Sequence, residues 1–275
     1  MQTKKTILPL LVALLATLLV GRGAILGVEA RPLHTVGTTA ERRHRTTGAV
    51  LFCSRAADPI DRLVFFGEST TAHLRTTGVL KDGKNTAQVL SPASNTMLLS
   101  RRTPDLLLLD PAGGECSLRQ YVARKTPDCL VLSFGLNGVT RFAANPEDYL
   151  DCYRALCKAV LEASPSTHIL LQTVYPVARE PLDWQFSMPP TEINRMLSIL
   201  NATLPTLAAE DARITLVDTA SAITDAEGFL PDTFTTDGIH LTKEAYREIL
   251  AVLREMLKGA LSSQNQTVSK ERNSL

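Results

Sequence analysis

Four side chains in this 275-residue chain have the types and spacing for nucleophilic catalysis: Ser69, Asn137, Asp237 and His240. Ser69 follows the apolar run Leu63 to Phe66 and the turn residue Gly67. That pattern predicts a buried strand, a sharp turn, and a serine at the strand's carboxyl end, where open α/β sheets place ligands. A serine opening the next helix has its own N–H and the helix dipole beside it, and both favour negative charge. A hydroxyl needs a base to attack. Asp237 and His240 stand three residues apart in Thr236-Asp237-Gly238-Ile239-His240-Leu241. One turn of chain puts both on one side, so the carboxylate can hold one imidazole nitrogen while the other faces Ser69. Asn137, in Phe134-Gly135-Leu136-Asn137-Gly138, can offer a neutral N–H to a developing oxyanion. Each piece alone has a bland explanation: an ordinary turn, a helix cap with a surface histidine, a second turn. All three in this order, each at a strand end, favour a catalytic site.

The triplets Gly67-Glu68-Ser69 and Gly135-Leu136-Asn137, with Asp237-Gly238-Ile239-His240, make the chain resemble the SGNH subgroup of the GDSL esterase/lipase family. The resemblance covers roughly residues 61 to 258. Ser133 to Val139 and Leu171 to Val177 are similar to bacterial members with a single such domain. It implies a serine ester hydrolase with Ser69 as nucleophile, His240 as base and Asp237 as its partner, needing no cofactor and no metal. It also implies an oxyanion hole made by the N–H of Ser69, a backbone N–H near Asn95 and the Asn137 amide. Two departures stand out. Glu68 replaces the usual aspartate, a mild change at a position that is not the nucleophile. In Pro92-Ala93-Ser94-Asn95-Thr96, Asn95 stands where the family has glycine. Asparagine tolerates left-handed backbone, so a backbone donor can survive there. The implied substrate is a carboxylic ester, with O-acetyl groups on cell-envelope or dietary glycans as one option. Acyl transfer to envelope glycans and an inactive surface binding module stay open as alternatives.

The elements that must position these residues alternate. Strand-like runs at Leu63–Phe66, Gln88–Leu90, Cys129–Phe134, Ile169–Thr173 and Ile214–Val217 are separated by helical patterns. Alternation of this kind predicts a three-layer α/β/α sandwich around a mainly parallel sheet. Helices are expected from Ser69 to Thr77, Leu118 to Lys125, Pro146 to Ala163, Ile193 to Leu204, and from Leu241 to Met256 with His240 at its start. Asp105 to Gly114 suggests an inserted hairpin. The proline-rich segment from Tyr175 to Pro190 leaves a strand's carboxyl end. It is either a lid or acyl-pocket wall, with Tyr175 and Trp184 as substrate contacts, or a surface loop pinned by that tryptophan. Asp218, after the last strand, rivals Asp237 for the acid role. The local spacing to His240 favours Asp237.

Charge is balanced, 29 basic against 28 acidic residues, and aromatics make up 5%. No basic stripe interleaved with aromatics suggests a nucleic-acid surface. His34, His44, His73 and His168 are scattered and form no metal-ligand pattern. Lys4-Lys5 followed by the apolar run Ile7 to Val20 reads as a targeting segment, either a cleaved signal peptide or an uncleaved membrane anchor. Both place the enzyme outside the cytoplasm. The organisation expected is therefore a leader or anchor at 1–30, a linker at 31–60, the hydrolase domain at 61–259 and a disordered tail at 260–275. The five cysteines, Cys53, Cys116, Cys129, Cys152 and Cys157, are odd in number and lack metal-ligand spacing. Mostly free thiols are expected.

Overall fold

Apolar side chains on both faces of the strands of the main sheet decide the architecture. The computed structural model describes residues 58–181 and 186–272, with side chains to residue 260. Its strands are β1 (Leu63–Gly67), β2 (Val89–Leu90), β3 (Leu107–Leu109), β4 (Glu115–Ser117), β5 (Cys129–Ser133), β6 (His168–Gln172) and β7 (Ile214–Val217). Five of them form one sheet in the order β2-β1-β5-β6-β7, with every neighbouring pair parallel. The helices are α1 (Ser69–Thr77), α2 (Leu118–Lys125), α3 (Val139–Ala144), α4 (Pro146–Ala163), α5 (Pro190–Glu210) and α6 (Lys243–Arg272).

Successive strand residues point to opposite faces. Phe66, Leu130, Leu132, Ile169 and Leu171 therefore join one buried cluster, with side chains from α2, α3, α4 and α5. Leu63, Phe65, Val131 and Leu170 join a second, with side chains from α1 and α6. The result is the three-layer α/β/α sandwich around a parallel sheet. Phe66 has no exposed surface, so its truncation to alanine would cost about 3–5 kcal/mol.

Local signals set the element ends. Ser117 and Gln120 cap α2 reciprocally, and Pro146 opens α4, where its missing N–H costs nothing. β3 and β4 form a separate antiparallel hairpin, the insertion expected at 105–114. Two expectations need correcting. His240 does not start the closing helix; it lies in the loop before Lys243, whose ends are tied by a bridge between Thr235 and Leu241. The segment from 260 is not a disordered tail over its whole length, because α6 continues to Arg272. No proline interrupts residues 260–272, and extending a formed helix is far easier than nucleating one. The leader or anchor at 1–30 and most of the linker fall outside the described residues. Among the described residues, no helix is long and apolar enough to cross a membrane.

The strand order fixes where the site lies. From β1 the chain moves to β2 on one side, and later to β5 on the other. The loops leaving the carboxyl ends of β1 and β5 therefore diverge, opening the crevice at which such sheets bind ligands. Ser69 leaves β1, and Gly135 to Asn137 leave β5.

Candidate active site

Gly67 makes the close approach of these two loops possible. A Cβ there would collide with the Ser133 carbonyl oxygen and the Thr71 hydroxyl. α1 then begins at Ser69 with Glu68 as its N-cap, but the Glu68 side chain does not cap the helix. Its carboxylate turns inward and accepts the backbone N–H groups of Gly135 (2.6 Å), Leu136 (2.8 Å) and Asn137 (2.7 Å). Glu68 is 3% exposed. Burial pushes its carboxyl up to about 7, although the three N–H donors pull the other way. Because the side chain is spent on the β5 loop, the N–H of Ser69 has no acceptor among the described residues. The amino end of α1 thus keeps a free donor and a positive dipole beside the serine hydroxyl. In sequence Glu68 reads as a mild replacement. The structure makes it the tie between the two loops.

Asp237 and His240 form a rigid unit. Asp237 Oδ2 lies 2.6 Å from His240 Nδ1, while its Oδ1 accepts the N–H groups of Ile239 (2.9 Å) and His240 (2.7 Å). The Asp237 carboxyl is pushed up by burial, but the bonds from His240 and the two N–H groups outweigh this and hold it below the ordinary range. An ionised partner at Nδ1 fixes that nitrogen as the donor and leaves Nε2 as the free base. Gly238 has φ +93°, and a Cβ there would collide with Pro181. Glycine is therefore what lets the turn between acid and base pack against the segment after β6.

Ser69, His73, Asn95, Asp237 and His240 open on one shared cleft. Among the described residues, no hydrogen bond joins the Ser69 hydroxyl to His240. Bonds of this kind commonly tighten only when substrate binds. His73, one helical turn after Ser69, sets its ring 5.4 Å from that of His240. Burial, and then His240, lower its pKa from the ordinary histidine value.

Two of the groups expected as oxyanion donors already have partners within the protein. Asn95 is left-handed, φ +55°. Its N–H, however, donates to the Pro92 carbonyl at 2.9 Å. The tight turn consumes the backbone donor assigned to it. Its side chain remains: Ser91 Oγ donates to Asn95 Oδ1 at 3.3 Å, so the amide nitrogen is free to donate. The Asn137 amide donates to Thr96 Oγ1 (3.1 Å) and the Met97 carbonyl (2.9 Å), tying the β5 loop to the Asn95 loop.

Tyr175 is not a cleft residue. It is 8% exposed and packs in the cluster under α6, because the chain leaving β6 still runs through the core. Trp184 lies outside the described residues. Asp218 accepts the hydroxyls of Thr173 (3.0 Å) and Ser221 (2.5 Å), whereas the carboxylate bonded to His240 is that of Asp237. Cys116, Cys129, Cys152 and Cys157 are free and buried. Cys53 lies outside the described residues. Among the described residues, no group of three or more His, Cys, Asp or Glu side chains is placed to hold a metal.

A parallel three-layer sandwich with a serine at the β1 end and an Asp-x-x-His pair in a late loop defines a class of ester hydrolase. The chain matches the model of the GDSL-like lipase/acylhydrolase family over residues 65–248, and it belongs to that family. It is a carboxylic ester hydrolase. Among solved structures it is similar to a GDSL-like lipase from Bacteroides thetaiotaomicron, at 19% identity over 74% of this chain and 93% of that one, TM-score 0.46. It is also similar to an aryl esterase from M. smegmatis, at 21% identity over 72% and 98%, TM-score 0.42. A carbohydrate acetylesterase from Sinorhizobium meliloti matches at 17% identity over 72% and 98%, TM-score 0.43. No curated protein matches the chain.

Proposed function

We propose that the chain hydrolyses small acyl esters of polar alcohols, O-acetylated glycans among them, through Ser69, His240 and Asp237. The observation that carries this reading is the 2.6 Å contact between Asp237 and His240 in the cleft that Ser69 also lines. His240 Nε2 takes the Ser69 proton as Oγ attacks the acyl carbon. Asp237 steadies the imidazolium that forms. The oxyanion is held by the N–H of Ser69 and the Asn95 side-chain amide. The Asn137 amide joins them by exchanging the Thr96 hydroxyl for the oxyanion. Collapse expels the alkoxide, which takes the proton from His240. Water then repeats the cycle on the acyl-enzyme and releases the acid. The cleft lining supports a polar alcohol and a short acyl group. Beside the catalytic groups it offers Thr76, Ser94, Thr96 and Thr236, with Ala72 as its apolar member. The lysines and apolar run near the amino terminus support an exported enzyme.

The test is a 4-nitrophenyl ester series from acetate to octanoate, with the Ser69→Ala variant alongside. Hydrolysis is expected to peak at acetate and vanish in the variant. Equal rates for both proteins would leave a binding module instead. Product analysis with an added glycan would reveal acyl transfer as a glycan ester in place of free acid.

A further inference from the structure

The catalytic cleft does not end at α1. Arg75 lines it, and also lines an adjoining groove with Lys84, Asn85, Thr86 and Asp110. Arg75 lies six residues beyond Ser69 on the same helix, about 9 Å farther along its axis.

Most described arginines are paired with carboxylates: Arg62 with Asp128, Arg154 with Glu147, Arg254 with Asp58. Arg75 has no carboxylate partner among the described residues. One end of its guanidinium is fixed, since Nη2 donates to the Val89 carbonyl at 2.5 Å and to Ser91 Oγ at 3.4 Å. Its Nε is buried with no hydrogen-bond partner. Lys84 is exposed and likewise has no ion-pair partner among the described residues. The one acid of the groove does not cancel these cations: the Asp110 side chain is 5% exposed and paired with Arg124. An oriented, uncompensated guanidinium with a lysine nearby and two neutral hydrogen-bonding side chains suits an oxyanion of fixed geometry.

We propose that this groove is a binding subsite for an anionic group, carboxylate or phosphate, carried by the alcohol part of the ester. The substrate class is then an acylated sugar acid or sugar phosphate, whose acyl carbon meets Ser69 while its charge meets Arg75 and Lys84. The proposal rests on the esterase reading above.

The test uses the full chain and three matched monoacetates: methyl glucoside, its uronate and its 6-phosphate. Hydrolysis of the neutral acetate, absent in Ser69→Ala, tests the esterase reading by itself. The ratio of kcat/KM for charged over neutral acetate tests the subsite. Arg75 also steadies Asn95 through Ser91, so the ratio is the readout rather than either rate. A ratio of about ten or more is expected for at least one anion, as a charged hydrogen bond provides. The larger of the two ratios names the anion. The ratio should fall toward one in Arg75→Met and with added salt, and fall in part in Lys84→Gln. A ratio near one in the unaltered protein overturns the subsite, as does a preference that survives Arg75→Met. If Arg75→Met does not fold, Lys84→Gln and the salt series decide the matter, and a ratio unmoved by both overturns it. If no acetate is cleaved, calorimetry with methyl glucuronoside, methyl glucoside 6-phosphate and methyl glucoside replaces the rates. Tighter binding of either anion than of the neutral glucoside then supports the subsite, and equal binding of all three overturns it.

Discussion

The Glu68 carboxylate accepts the backbone N–H of Asn137 at 2.7 Å, across 69 residues of sequence. With its bonds to Gly135 and Leu136, it joins the loop that carries Ser69 to the loop that carries Asn137. Glu68→Gln turns an amide N–H toward these donors and leaves at least one without an acceptor. A loss of about 2–3 kcal/mol in urea unfolding is expected at neutral pH. The pH dependence has a definite sign. Burial raises the Glu68 carboxyl from 4.5 to about 7. Between those values the folded state holds a proton that the unfolded state has lost. Stability should therefore be fully present below pH 4.5, decline as pH rises toward 7, and then level off. The midpoint difference between the unaltered protein and Glu68→Gln, followed from about pH 4.5 to 8, reads this directly. A difference that grows with pH would show that the three N–H donors, not burial, dominate.

Asp237→Asn keeps the shape of the turn but removes the charge facing Nδ1. The His240 ring is then free to take the wrong tautomer, and its cationic form loses its partner. A fall in kcat of about 10³-fold or more is expected, with KM nearly unchanged, because Asp237 acts on the transition state through His240. A loss confined to KM would place Asp237 in substrate binding.

Asn95→Gly separates the two candidate donors at that position. Glycine suits φ +55° and keeps the backbone, so the fold should be retained. The side-chain amide is lost, and kcat should fall about 10²-fold. Full activity in Asn95→Gly would return the role to the backbone. Thr96→Val, by contrast, removes the hydroxyl that occupies the Asn137 amide at 3.1 Å, and should leave activity equal or raised.

His73→Phe keeps a ring against His240 but removes a titrating group. The His73 pKa is lowered by burial and by His240. Below the ordinary value of 6.5 the unfolded chain therefore binds a proton that the folded one refuses, and stability drains away as pH falls. The variant should lose less stability between about pH 6.5 and 5 than the unaltered protein. It should also keep the acid limb of its pH–rate profile. Disappearance of that limb would make His73 the base.

Much of the architecture was legible because its signals are local. Cys129 to Phe134 and Ile169 to Thr173 are apolar runs of strand length, and Pro146 opens the helix that runs to Ala163. The pairing of Asp237 with His240 was legible for the same reason, since three residues of chain separate them in one short turn. What was not legible depends on contacts between distant segments. Nothing in Glu68 itself says that its side chain will reach residues 135–137 rather than cap the helix whose N-cap position it occupies. That a turn to Pro92 consumes the Asn95 N–H depends on loop geometry. Tyr175 was misplaced because a residue just past a strand end can still point into the core. α6 ran on to Arg272 because polar composition alone does not stop a helix once begun.

The mechanism stands on Ser69 being the nucleophile that His240 activates. The most direct measurement is labelling with a fluorophosphonate, followed by peptide mapping of the adduct in the unaltered protein and in His240→Ala. A single adduct on Ser69, formed rapidly in the first and scarcely in the second, is the expected result. Labelling on another residue, or labelling of Ser69 that does not depend on His240, would contradict it.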